Sequence, residues 1–207
     1  MKKVLSTLFL AAGAAFGLTT EPAGPPPTDL KPAFASMLQK EGVRILDGKK
    51  VLMELWFRST APSGPKNAED AVSLTTIPHG SYVGIARFPE KGADRRGQSI
   101  APGVYTLRLS FFPPNGDHQG VAPQRDFFVL SPLAEDSDAA AAPSFEPLVA
   151  MSRKASGTPH PLVLSVWKTD GQSKTLGLSQ DGEHDTVLQT KVGDVPITLI
   201  VAGKFDH

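Results

Sequence analysis

The stretch "GVYTLRLSFF", residues 103–112, decides the fold class of this chain. Tyr105, Leu107, Leu109 and Phe111 fall on one face of an extended backbone. A period of two is the mark of a strand with one face in a core. Pro102-Gly103 supplies the turn that feeds it. A second β-prone run, "RDFFVLSPL", residues 125–133, follows and reads as its antiparallel partner. The two are joined by "PPNGDHQGVAPQ", residues 113–124. A hairpin loop needs about two to five residues, so the extra length calls for a reason.

The same pattern extends outward in both directions. Upstream, "VRILDGKKVLMELWFR", residues 43–58, is a hairpin around Asp47-Gly48. In its second arm Val51, Met53, Leu55 and Phe57 face one way, and Leu52, Glu54, Trp56 and Arg58 the other. "DLKPAFASMLQKEG", residues 29–42, predicts a short helix capped by Thr28 or Asp29 and ended by Gly42. "AVSLTTI", 71–77, and "SYVGIARF", 81–88, read as strands. Downstream, "AEDSDAAAAP", 134–143, reads as an exposed crossing and "SFEPLVAMSRKASG", 144–157, as a second helix. Four further β-prone runs occupy 162–168, 174–179, 185–192 and 196–205. About ten strands, two short helices and no βαβ alternation predict a mainly β fold, an antiparallel β-sandwich of Ig-like or jelly-roll-like type. The 19 glycines and 19 prolines suit many short strands joined by turns.

The N-terminus predicts export. Lys2 and Lys3 precede the apolar run "VLSTLFLAAGAAFG", which is shorter than the ~20 residues of a spanning helix. Residues 1–17 therefore read as a cleaved signal peptide, 18–28 as a Pro-rich tether and 29–207 as one domain. The product would be secreted or periplasmic, with no stable membrane anchor after cleavage. There is no cysteine, which excludes a lipoprotein, a thiol nucleophile and thiolate metal sites. The formal charge is +0, and removal of Lys2 and Lys3 leaves about −2, so nothing steers the chain to nucleic acid.

Two sets of residues carry binding chemistry. Asp117 and His118 in the long connection, with Asp126 at its end and His160 from "SGTPHP", are the ligand types of a divalent metal ion, the one cofactor the sequence suggests. The plainer reading is that Asp117 satisfies turn donors and His118 is solvated. Glu54, Trp56 and Arg58 share a strand face and could grip a sugar, ring face on the indole and hydroxyls on the charges. The plainer reading here is an indole packed beneath a helix. The "EDSD" run, 135–138, lacks the Gly and distal Glu of a calcium loop and reads as a solvated crossing, and the "DGEHD" run, 181–185, reads as a hairpin tip. Catalysis has little support: no nucleophile elbow, no zincin histidine pair and no phosphate-binding glycine loop is present.

"RRGQSIAPGVYTLRLSFFPPNGDHQGVAPQRDFFVL", residues 95–130, together with "SRKASGTPHPLVLSV", residues 152–166, resembles an uncharacterised family of exported bacterial β-sandwich proteins. The resemblance implies a fold class and an envelope location, and brings no catalytic residue. The expectation is an exported, non-catalytic binding or accessory protein that meets an envelope protein or a glycan through long loops. The alternatives are a metal-dependent hydrolase built on the 113–126 connection and a glycan-binding module built on Trp56.

Overall fold

The structure is a computed structural model and describes residues 17–113, 124–170 and 177–203. Its elements are β1 (Leu18–Gly24), α1 (Pro32–Ala35), β2 (Gly42–Asp47), β3 (Lys50–Phe57), β4 (Tyr82–Phe88), β5 (Gly92–Ala93), β6 (Ser99–Ile100), β7 (Gly103–Phe111), β8 (Asp126–Pro132), α2 (Phe145–Ser156), β9 (Leu162–Lys168), β10 (Gly177–Asp181), β11 (Asp185–Val192) and β12 (Val195–Ala202).

The fold is mainly β and antiparallel with two helices, as expected. The strands differ from two stacked sheets. Ten of them pair in one continuous order, β1-β2-β3-β4-β7-β8-β9-β12-β11-β10, and the sheet curls until β10 lies against β1. The result is a nearly closed barrel, which brings the two edge strands of the antiparallel sheet alongside each other. The small β5–β6 hairpin is the one excursion from the meander between β4 and β7.

Alternation explains the interior. Met53, Leu55 and Phe57 of β3, Tyr105, Leu107, Leu109 and Phe111 of β7, and Leu162, Leu164 and Val166 of β9 meet inside the barrel. Two smaller apolar clusters lie outside it. One forms where α1 brings Leu30, Phe34 and Leu38 onto Trp56, Tyr82 and Ile85. The other lies under α2, where Leu148 meets Phe112, Phe127, Val129 and Val163. α2 ends at Gly157, whose left-handed φ of 63° lets its N–H return to the Arg153 carbonyl at 3.0 Å.

Three local expectations are corrected. Residues 18–24 are not a tether: they form β1, paired on β2. An edge strand tolerates Pro22, because its N–H side needs no partner. The first helix is a single turn, not 29–42. After Ala35 come two turn residues, and Leu38 then bridges Arg58: Gln39 N donates to the Phe57 carbonyl at 2.9 Å while the Met37 carbonyl accepts from Ser59 N. Backbone pairing with the end of β3 thus outcompetes further helix. Residues 71–77 are turns rather than a strand. Their backbone is satisfied by side chains: the Asp126 carboxylate accepts from Ser73 N and Leu74 N, and the Asn67 amide donates to the Ile77 carbonyl at 2.5 Å. Leu74 and Ile77 are thereby pressed, fully buried, into the barrel core.

Candidate functional site

The proposed metal set does not assemble among the described residues. Asp117 and His118 lie outside them. Asp126 opens β8 with 0% exposure, and its two carboxylate oxygens accept the N–H groups of Ser73 at 2.9 Å and Leu74 at 2.7 Å. It is a clasp for the 71–77 turns. Burial raises its pKa above the usual carboxylate value of 3.8, and the backbone N–H bonds only partly offset this. His160 is exposed in the turn before β9. The β8–β9 register pairs Leu130 with Leu162, so His160 stands beyond the far end of β8. Six residues of strand separate the two, about 20 Å at the usual rise. That is far beyond a shared coordination sphere, and no cluster of three or more His, Asp or Glu suited to a metal occurs among the described residues.

The sheet-face platform is covered. Glu54 and Trp56 are each 1% exposed. The indole packs against Gly42, where any Cβ would collide with it, and donates its N–H to the Gly24 carbonyl at 2.9 Å. Leu30, Phe34 and Leu38 close over it, and the Arg87 guanidinium lies 5.9 Å from the ring centroid. Glu54 is held between Arg44, at 2.7 Å, and Arg87. The expected open face for a sugar ring is therefore a packed layer, because one helical turn and the end of β1 fold across it.

Arg58 alone of that trio reaches a cleft. It follows β3, and its backbone is tied on both sides: its N–H donates to the Val83 carbonyl, and its carbonyl accepts from Gly193 N, each at 2.9 Å. The guanidinium is differently placed. Nη1 makes one long contact, 3.5 Å, to the Tyr82 carbonyl. Nε is buried with no hydrogen-bond partner. Among the described residues no carboxylate forms an ion pair with it.

Next to it stands Tyr82, the first residue of β4. Its ring meets Phe34 edge-on at 5.0 Å, and its hydroxyl, also buried, has no partner. Burial pushes the phenol pKa strongly up, with Asp136 adding to the rise and Arg58 and Arg108 opposing it, so the hydroxyl keeps its proton. Burial also lowers the Arg58 pKa, but from a starting value of 12.5. Arg58 and Tyr82 line an open cleft of about 380 Å³, walled by Met37, Pro62, Pro78 and the Ala139–Ala142 run. An unpaired buried donor costs about 1–3 kcal/mol.

The wall carrying Ala139–Ala142 is fixed by a residue the sequence reading passed over. Arg108 projects from the outer face of β7 and is 0% exposed. Its Nε and Nη2 donate to the two Asp136 oxygens at 2.6 and 2.9 Å. Nη1 donates to the Gly80 and Ala141 carbonyls, and Nη2 to the Asp138 carbonyl. The segment read as an exposed crossing is thus strapped to the barrel. The available signal was a strand whose second face carries Thr106, Arg108 and Ser110, followed by a carboxylate-bearing crossing of the right length.

A second cavity, about 230 Å³, lies at the opposite end of the barrel among Met53, Phe88, Leu164 and Val201, with Lys50 and Lys91 at its rim. None of the unpartnered buried polar atoms lines it. No protein-family model, curated protein or solved structure matches this chain.

Proposed function

We propose that this chain is an exported, non-catalytic binding module whose ligand places an acceptor group in the Arg58–Tyr82 cleft. The observation that supports it is that Arg58 and Tyr82, two residues of one cleft lining, each hold a buried donor, Nε and the hydroxyl, with no hydrogen-bond partner among the described residues. A binding role is favoured over hydrolysis by the state of the buried carboxylates. Glu54, Asp94, Asp126, Asp136 and Asp185 all accept from arginine or backbone N–H groups, so each is committed to holding the fold. Export rests on the basic and apolar N-terminal run.

The test is thermal unfolding of the purified chain against a mixed set of small carboxylates, phosphates and neutral sugars, with Arg58→Gln alongside. A ligand that binds only the folded state raises the midpoint. The expected result is a class of compound that raises the wild-type midpoint and leaves the variant unmoved. The proposal fails if no member of the set acts, or if both proteins respond alike.

A further inference from the structure

We infer that the cleft is a carboxylate site: it takes a singly charged carboxylate whose neighbouring body is apolar. This rests on the reading of the cleft as a ligand site and narrows it by donor geometry, charge and wall chemistry.

The donors come first. A guanidinium presents two parallel N–H bonds along the edge formed by Nε and Nη2, the fork that a carboxylate accepts with both oxygens. In Arg58 the Nη1 side is turned to the Tyr82 carbonyl, and the edge carrying Nε makes no hydrogen bond among the described residues. Tyr82, whose hydroxyl is held protonated and has no partner among the described residues, lines the same cleft. Arg58 is the one charged side chain among the described residues of the lining, so the cleft favours an anionic acceptor.

Charge then sets the valence. Two guanidinium groups lie near Tyr82, those of Arg58 and Arg108. Arg108 is neutralised by Asp136 through two short bonds. Among the described residues Arg58 has no carboxylate partner, which leaves its positive charge uncompensated there. A monoanion balances it. A phosphate dianion would bring one negative charge too many beside the Asp136 carboxylate.

The walls describe the rest of the ligand. Beside Arg58 and Tyr82 the lining is Met37, Pro62, Pro65, Pro78 and the alanine run, with Ser63 and Ser81 as its other hydroxyls. Most of these side chains are apolar, and an aliphatic or aromatic body sheds water against them at little cost. The volume, about 380 Å³, lies in the range of small-ligand sites. A free acid and the C-terminus of a peptide with an apolar last residue share this chemistry.

The experiment is calorimetric titration of the intact chain with benzoate, hexanoate, benzamide, inorganic phosphate, and a short peptide ending in Leu as free acid or amide. The carboxylates, the free-acid peptide or both are expected to bind. Arg58→Gln should weaken them about ten- to a hundredfold, the range for hydrogen bonds to a charged group. Tyr82→Phe should weaken them by about three- to tenfold, as loss of one hydroxyl donor does. Unfolding curves of both variants establish that the fold is kept. Binding by benzoate and hexanoate alone identifies the source as a free acid; binding by the free-acid peptide alone identifies a chain terminus. If phosphate binds and the carboxylates do not, with the effect lost in Arg58→Gln, the carboxylate assignment is overturned while the cleft remains a ligand site. Benzamide binding as tightly as benzoate also overturns it. If nothing in the set binds, both readings fall.

Discussion

Arg108 and Arg58 flank the same strap, residues 134–143, and are treated in opposite ways. Arg108 is fully buried and uses all five of its N–H bonds, two on Asp136 and three on backbone carbonyls. Arg58 is half-buried, makes one contact at 3.5 Å and leaves Nε without a partner. A buried charge that is satisfied in full fixes a structure; it specifies where the strap lies. One that is desolvated and left open keeps its interaction energy for something else. The contrast separates an arginine that fixes the strap from one that is left open beside it.

The firmest way to break the contrast is Arg108→Ala. Removing one partner strands the Asp136 carboxylate in a dry site, which should destabilise the chain by about 3–5 kcal/mol in urea unfolding. Arg58→Gln should leave stability level or raise it slightly, since it loses one 3.5 Å contact and relieves a buried donor with no partner among the described residues. Equal losses in the two variants would erase the distinction drawn here.

Asp126 sharpens it from the acceptor side. Asp126→Asn replaces one accepting oxygen with an NH₂ group that faces a backbone N–H, at a cost of about 1–3 kcal/mol. The pH dependence has an unusual sign. Because burial raises the folded-state pKa of Asp126 above 3.8, its ionised form opposes folding. Its contribution is fully present below the unfolded value and is lost as pH rises through the folded one. Wild type should therefore gain on Asp126→Asn as pH falls toward 3.8, read as the difference between their urea midpoints. His79 works the other way. Burial lowers its pKa from 6.5, with Glu69 partly opposing the shift, so its stabilising contribution is present above 6.5 and lost as pH falls through the folded value. His79→Gln should flatten that loss, a smaller effect than the Asp126 substitution itself.

Much of the barrel could be read from local pattern. The alternation in 103–112, the Asp47-Gly48 hairpin and the Gly157 helix stop each depend on neighbours within a few residues, and each stands in the structure. What escaped depends on distant partners. Pro22 reads as tether in a sequence, and only the presence of β2 beside it makes an edge strand. Residues 71–77 have β-prone composition, but Asp126, more than fifty positions away, caps their backbone as turns. The site shows the limit most clearly. In the sequence Arg58 shares a strand face with Trp56; in the structure it lies beside Tyr82, and a helical turn removes Trp56 and Glu54 from reach. Nothing in the local sequence says that Arg108 finds a carboxylate while Arg58 finds none among the described residues.

The Tyr82 hydroxyl carries the smallest expected effect, and a second hydroxyl sets the contrast. Thr106 is fully buried, and its hydroxyl donates to Asp136 at 2.7 Å. The Tyr82 hydroxyl is buried and donates to nothing. Thr106→Val should cost about 1.5–3 kcal/mol, since it removes a hydrogen bond to a charged acceptor. Tyr82→Phe removes a group that is desolvated without return, so the unfolding midpoint should stay level or rise slightly in the absence of ligand. A clear loss of stability in Tyr82→Phe would mean that the hydroxyl already has a partner in solution, and the cleft would then lack the second of its two open donors. A level midpoint with weakened benzoate binding would show that the hydroxyl serves the ligand rather than the fold.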